Sequence, residues 1–122
     1  MSLFLCEGLG AREIYDSNIK NFSLSRENFF DLAGIWIAAM EGSSIYERSY
    51  NHVAFNVAKG DLRLFEVRLR KLGVEFKQGS SRVTGEGESL YFYDFDNHLF
   101  ELHEGDLGTR LDRYTQIADE TI

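Results

Sequence analysis

The feature that most constrains the fold of this chain is an internal repeat with a spacing of 63 residues. The segment LGAREI at 9–14 resembles LGVEF at 72–76, and MEG at 40–42 stands where HEG stands at 103–105. Gly10 and Gly73 are therefore 63 positions apart, as are the glycines that end the two later segments. Two copies of one unit predict two similar supersecondary modules. Because few residues match, chance similarity is the alternative.

Each copy is predicted to contain a helix that ends at a glycine and is followed by strands. Apolar residues recur at intervals of three and four from 60 to 72, which predicts a helix that stops at Gly73. Alternation with period two predicts strands, of which 50–57 is the clearest. The other predicted strands are 12–17, 21–25, 28–32, 35–40, 74–77, 89–94 and 98–103.

The second copy has one strand before its helix that the first copy lacks. We therefore predict an α+β fold of paired βαβββ modules within a single domain of 122 residues, the first module being truncated to αβββ. The expected parts are the first module at 1–42, a linker at 43–49, the second module at 50–105 and a C-terminal helix at 106–117.

Charge and composition exclude several classes of function. The chain has 13 basic and 20 acidic residues and a net charge of −7, which disfavours nucleic acid and anionic membranes as partners. No apolar run approaches the ~18 residues that a membrane-spanning helix requires. The single cysteine, Cys6, excludes an internal disulfide, and we expect a cytoplasmic protein.

A histidine and a glutamate on two predicted strands of the second module are candidates for metal binding. His52 lies on the small and polar face of its strand, and Glu101 stands among large apolar residues. A buried carboxylate must be paired, protonated or bound to a metal, and imidazole with carboxylate suits Mn, Fe or Zn. A buried hydrogen bond between the two residues explains the pattern equally well. His103 shares a strand face with Glu101 and is a candidate supporting partner, whereas His98 is predicted to lie at a turn.

Two further groups of residues suggest chemistry. Arginine offers paired donors for oxyanions, and four residues could converge on one anionic group: Arg82, Ser89, Tyr91 and Arg110. Taken singly, each arginine is explained more simply as a solvated surface residue. Glu27 precedes two phenylalanines, and a carboxylate beside aromatic surface can act as a general base, although an exposed strand edge is the simpler explanation. Trp36 is predicted to lie in the core.

Several segments together form a distinctive set. They are YNHVAF at 50–55, GEG at 85–87 followed by SLYFYD at 89–94, and DNHLFELH at 96–103. With FSLSRE at 22–27 and MEG at 40–42, they resemble the fosfomycin-resistance proteins of the vicinal oxygen chelate superfamily, also called the glyoxalase and bleomycin-resistance superfamily. The two segments from the first module point to the metal-dependent epoxide hydrolases among them. The resemblance extends from about residue 11 to residue 114.

This resemblance implies a homodimer in which each site combines the first module of one subunit with the second module of the other. It implies Mn²⁺, or another divalent metal, held by two histidines and a glutamate, of which His52 and Glu101 match the second histidine and the glutamate. Glu27 matches the general base that directs water onto the epoxide. The substrate implied is a small anionic phosphonate epoxide. The matching phosphonate-binding positions are Ser89, Tyr91 and Arg110, with Arg82 as a looser candidate.

One departure from the family pattern affects the expected activity. The first family histidine lies on the opening strand of the first module, and both the repeat and the resemblance place that strand before residue 1. We therefore expect weak metal binding. The leading hypothesis is metal-dependent opening of the fosfomycin epoxide by water, impaired by the missing ligand. The alternatives are a glyoxalase-fold protein that binds a small molecule without chemistry and a catalytically inactive homologue.

Overall fold

The structure of this chain, a computed structural model, contains two β-sheets with helices packed beside them. It describes residues 1–18, 25–77, 88–105, 108, 111, 112 and 114–116. Within this part of the chain, no helix is long and apolar enough to cross a membrane.

The first sheet contains three antiparallel strands in sequence order. They are β1 (Arg12–Asp16), β2 (Glu27–Leu32) and β3 (Ile35–Met40). A π-helix, Leu3–Gly8, precedes them. The chain turns from this helix into β1 at Gly10, whose φ of +80° is a conformation that glycine adopts without a steric penalty from Cβ.

The second sheet has the strand order β4-β7-β6-β5. Its elements are β4 (His52–Val57), α1 (Leu62–Leu72), β5 (Phe76–Lys77), β6 (Ser89–Tyr93) and β7 (Leu99–Glu104). β4 pairs with β7 in parallel, and the other neighbours are antiparallel. The connection through α1 allows this parallel pairing, because parallel neighbours need a long crossover.

The spacing of 63 residues is visible in the backbone. Gly73 ends α1 with a φ of +77°, close to the φ of Gly10 at the end of the π-helix. Gly34 and Asn97, also 63 positions apart, both have left-handed φ values in the turns that join the last two strands of their sheets. The two halves therefore change chain direction in the same way at equivalent positions.

The hydrophobic core lies between the helices and one face of each sheet. The largest fully buried side chains are Phe4, Leu5, Phe30, Leu69 and Phe92. Gly8 allows the π-helix to approach α1 closely, since a Cβ atom there would lie 3.0 Å from a methyl group of Leu69. Buried residues from both helices and from both sheets thus form one continuous core.

Most of the predicted elements are present with shifts of one or two residues at their ends. Residues 21–24 of the strand predicted at 21–25 lie outside the described residues, and Ser25 is in no strand. The described residues between 108 and 116 are helical, and the C-terminal helix at 106–117 stays a prediction.

The expectation that Trp36 lies in the core is wrong. Trp36 pairs with Asp31 and faces away from the buried Phe30, so that 71% of its surface is exposed. Its indole meets the ring of Phe29 edge to face, with centroids 5.2 Å apart. Because successive residues of a strand point to opposite faces, the pairing register decides the exposure of this large apolar side chain.

Candidate active site

The candidate site lies on the polar face of the second sheet. Glu101 on β7 is directly opposite Tyr91 on β6, and two residues further along β7, His103 is opposite Ser89. His52 begins the neighbouring strand β4. These five side chains come from three adjacent strands, although His52 and Glu101 are far apart in sequence.

The side chains of His52 and Glu101 meet on this face. Nε2 of His52 lies 3.1 Å from Oε1 of Glu101. Nδ1 of the same ring lies 2.7 Å from the carbonyl oxygen of Tyr50, to which it donates its proton because a carbonyl oxygen only accepts. The backbone therefore orients the imidazole so that Nε2 is directed at the carboxylate.

The facing atoms of this pair suit a cation. With the proton on Nδ1, Nε2 of a neutral His52 is an acceptor, and so is an ionised carboxylate oxygen. The two therefore need either a second proton on the ring or a metal ion between them. Donors bonded to one divalent ion at about 2.1 Å and at a right angle lie about 3.0 Å apart, which matches the observed separation. His52 and Glu101 thus fit a divalent metal ion.

The second oxygen of Glu101 is bound by neighbouring polar groups. Ser89 donates its hydroxyl proton to Oε2 of Glu101 over 2.9 Å, and Nδ1 of His103 lies 2.6 Å from the same hydroxyl oxygen. Glu101 is only 5% exposed, so this bond offsets part of the cost of burying its charge. Over the described residues, His, Cys, Asp and Glu side chains form no group of three or more that could hold a metal ion.

Tyr91 completes this polar face as a hydrogen-bond donor. Burial, followed by the negative charge of Glu101, raises the pKa of Tyr91 to about 12, and its side chain also interacts with Tyr50. The phenol therefore keeps its proton at neutral pH. Its ring meets the imidazole of His52 edge to face at 5.7 Å.

Sequence reasoning missed two residues beside this site. The ammonium nitrogen of Lys77 lies 4.4 Å from the centre of the Tyr50 ring, and Lys77 pairs with Tyr91 across β5 and β6. Lys77 brings positive charge to a chain whose net charge is negative. Tyr50 precedes His52 by two residues, and residues with this spacing lie on the same face of a strand. The sequence could therefore have identified Tyr50 as a neighbour of the site. The position of Lys77 follows from strand pairing, which no local pattern reveals.

Glu27 lies on the other sheet, at the start of β2. It pairs with Met40 and is on the same face as the exposed Trp36. In the described part of the chain, its carboxylate forms no hydrogen bond or ion pair, and no such contact links it to His52 or Glu101. Within the described residues, the candidate base and the candidate metal ligands lie on different sheets.

The remaining candidates have different positions. Arg82 and Arg110 lie outside the described residues. His98 is at the turn before β7, where Nδ1 lies 2.7 Å from a carboxylate oxygen of Asp94. This pairing within one turn separates His98 from the group around Glu101.

Comparison with known proteins gives the family. No protein-family model matches the chain. The fosfomycin resistance protein FosX of Listeria monocytogenes is 54% identical over 111 residues, which span 91% of this chain and 84% of that protein. The chain belongs to the FosX fosfomycin resistance proteins. FosX proteins are enzymes of the vicinal oxygen chelate superfamily, as the resemblance implied.

Solved FosX structures share the fold. A FosX variant from Listeria monocytogenes, crystallised with Mn(II) and 1S,2S-dihydroxypropylphosphonic acid, superposes with a TM-score of 0.80 at 51% identity, covering 91% of this chain and 83% of that one. FosX from Mesorhizobium loti gives a TM-score of 0.77 at 44% identity, covering 91% and 85%. The predicted α+β fold of the glyoxalase type is thereby confirmed for this FosX family member.

Proposed function

We propose that this chain opens the epoxide of fosfomycin, or of a similar small phosphonate, with water, in a reaction that depends on a divalent metal ion such as Mn²⁺. The observation that carries this proposal is the convergence of His52 Nε2 and Glu101 Oε1 at 3.1 Å. The related FosX was crystallised with Mn(II) and a dihydroxypropylphosphonic acid. A diol of this kind results when water is added across an epoxide, which supports the same reaction here.

His52 and Glu101 would hold the metal ion. When bound, the ion supplies Lewis acidity toward the epoxide oxygen and positive charge for the phosphonate. The backbone bond of His52 and the hydroxyl bond of Glu101 keep both ligands oriented before the ion arrives. Since no third ligand joins them within the described residues, we expect weaker binding than at a site with three protein ligands.

Glu27 would act as the general base. Its carboxylate takes a proton from a water molecule while the water oxygen bonds to an epoxide carbon and the carbon–oxygen bond of the ring breaks. The ring oxygen then takes up a proton from solvent, which completes the diol. A carboxylate without a hydrogen-bond or ion-pair partner in the described chain is available for this step.

The complete site would require two subunits. Glu27 lies on the other sheet, and in the described part of the chain no hydrogen bond or ion pair joins it to His52 or Glu101. We therefore propose a homodimer in which Glu27 of one subunit faces the metal ligands of the other. Large apolar side chains beside Glu27 support this assembly, because Trp36 is 71% and Met40 is 55% exposed. Burying such side chains against a second subunit would be favourable.

Protonated and cationic groups would bind the phosphonate. Tyr91 offers a phenol proton and Lys77 offers an ammonium group on the metal-binding face. Ser89 directs its proton at Glu101 in this structure, and it stays a predicted phosphonate ligand beside Tyr91 and Lys77. Arg82 and Arg110 stay predicted phosphonate ligands.

The central experiment follows fosfomycin by ³¹P NMR with the purified chain and Mn²⁺. We expect conversion to the diol, its loss on chelation with EDTA, and its loss in Glu27→Gln with Mn²⁺ binding retained. His52→Ala and Glu101→Gln should lose Mn²⁺ binding as well, whereas His98→Ala, a change at a histidine outside the site, should lose neither. Saturable binding of fosfomycin without turnover would favour a non-catalytic binding protein. Turnover that persists in EDTA would contradict the metal-dependent mechanism.

A further inference from the structure

We infer that His103 is a positioning residue for the metal-binding carboxylate and that it acts through the hydroxyl group of Ser89. In this arrangement His103 fixes the direction of the Ser89 proton, and Ser89 in turn fixes which oxygen of Glu101 faces His52. The inference rests on the proposed metal-binding role of His52 and Glu101.

The positions of the protons follow from the chemistry of the three groups. An ionised carboxylate only accepts hydrogen bonds, so the single hydroxyl proton of Ser89 is donated to Glu101. The hydroxyl oxygen must then accept where it meets Nδ1 of His103, at 2.6 Å. His103 therefore carries a proton on Nδ1, and the three side chains form a directed chain of hydrogen bonds.

Distance excludes a direct hydrogen bond between His103 and Glu101. Nδ1 of His103 lies 3.7 Å from Oε2 of Glu101, which is too far for a hydrogen bond. The shorter contacts through Ser89 are 2.6 Å and 2.9 Å. The hydrogen-bonded connection between the imidazole and the carboxylate therefore passes through the serine hydroxyl.

Burial makes this arrangement strongly directional. Glu101, His103 and Ser89 are 5%, 8% and 9% exposed, so water competes poorly for their hydrogen bonds. Without the donor on His103, the hydroxyl of Ser89 could turn its proton elsewhere, and Oε2 of Glu101 would lose this hydrogen bond. The carboxylate would then be free to rotate away from His52. Partners of this kind, which orient a ligand from behind, typically change metal affinity about 10–100-fold.

The first test measures the Kd of Mn²⁺ by calorimetry on the full chain. His103→Leu and Ser89→Ala should each weaken Mn²⁺ binding about ten-fold or more. The double variant should be no weaker than Ser89→Ala alone, because the inferred effect of the imidazole on the carboxylate runs through the hydroxyl. His103→Asn should restore binding, since the amide of asparagine places an N–H donor near the position of Nδ1. The inference would be overturned if His103→Leu weakened Mn²⁺ binding equally in the wild-type chain and in Ser89→Ala. It would also be overturned if His103→Asn did not restore binding.

A second readout needs no metal. ¹⁵N NMR of the imidazole groups in mildly alkaline buffer should show His103 with its proton on Nδ1, a state that Ser89→Ala should disturb. A proton on Nε2 instead would refute the relay even if Mn²⁺ binds and fosfomycin is opened. If the wild-type chain binds no Mn²⁺ but His103 carries its proton on Nδ1, the proposed function fails while the hydrogen-bond chain itself stands. Unfolding midpoints of all variants would show which losses reflect misfolding.

Discussion

The imidazole of His52 reaches the carboxylate of Glu101 diagonally across two parallel strands. The residue of β4 directly opposite Glu101 is Ala54, and His52 is opposite Leu99. The small side chain of Ala54 therefore leaves room between the two candidate ligands. The volume of the side chain at position 54 should therefore affect metal binding.

Ala54→Val should weaken Mn²⁺ binding while the protein stays folded. Valine suits a strand, but its two methyl groups would enter the space beside Glu101. We expect a loss in affinity of about ten-fold or more, similar to the loss of an orienting partner. Calorimetry with Mn²⁺ would measure it, and Val53→Ile, on the opposite face of β4, is the matched control. Unchanged affinity in Ala54→Val would place the metal elsewhere.

Mixing two inactive variants should restore activity if each site is shared between subunits. Glu27→Gln and His52→Ala, mixed in equal amounts and allowed to exchange subunits, should form mixed dimers with one intact site of two. Half of the dimers are then mixed, and each mixed dimer has one working site of two. We therefore expect about a quarter of the wild-type rate. The measurement is fosfomycin turnover before and after exchange. An inactive mixture in which subunit exchange has been verified would show that Glu27 and His52 of the same subunit act in one site.

The stability of the protein should fall in strongly alkaline solution because of Tyr91. Its pKa of about 12 lies above the ordinary value of 10.0, so the unfolded chain releases this proton first as the pH rises. The free energy of unfolding should therefore decline between about pH 10 and pH 12. Tyr91→Phe should reduce this decline in urea unfolding, and Tyr46→Phe, at a tyrosine that is 96% exposed, should not. Equal declines in both variants would argue against the raised pKa.

Gly10→Ala should destabilise the protein more than Gly73→Ala. Both positions have a positive φ, which costs an alanine about 1 kcal/mol. At Gly10 the added Cβ would also lie 3.3 Å from the guanidinium of Arg68, which donates to the carbonyl oxygens of Glu7 and Cys6. Apart from its chain neighbours, no described residue has an atom within 4 Å of a Cβ at Gly73. Chemical denaturation would compare the two, and equal losses would show that Arg68 moves aside freely.

Local patterns predicted much of the fold because they depend on residues close in sequence. The periodicity from 60 to 72 and the glycine after it predict α1 and its end, which the structure places at Leu62–Leu72. Alternation predicted the strand that contains His52. The same reasoning failed for Trp36, since alternation shows that a strand has two faces but does not show which of them a core will cover.

The candidate site was predictable in part. The residue types and their strand faces marked His52 and Glu101, and the resemblance to the fosfomycin-resistance proteins marked Glu27. The position of Lys77 beside Tyr50 could not be predicted, because β5 meets β6 only through pairing in the folded sheet. The direction of the Ser89 proton likewise depends on side chains that meet only after folding.

The amino-acid sequence by itself determined the repeat, the order of helices and strands, and the residue types available for chemistry. Only the tertiary structure decided that β4 lies beside β7 in a register that brings His52 to 3.1 Å from Glu101, with Glu27 on the other sheet. The reason is physical: helix and strand propensities act over a few residues. Sheet register is set by the packing of side chains that are distant in the chain.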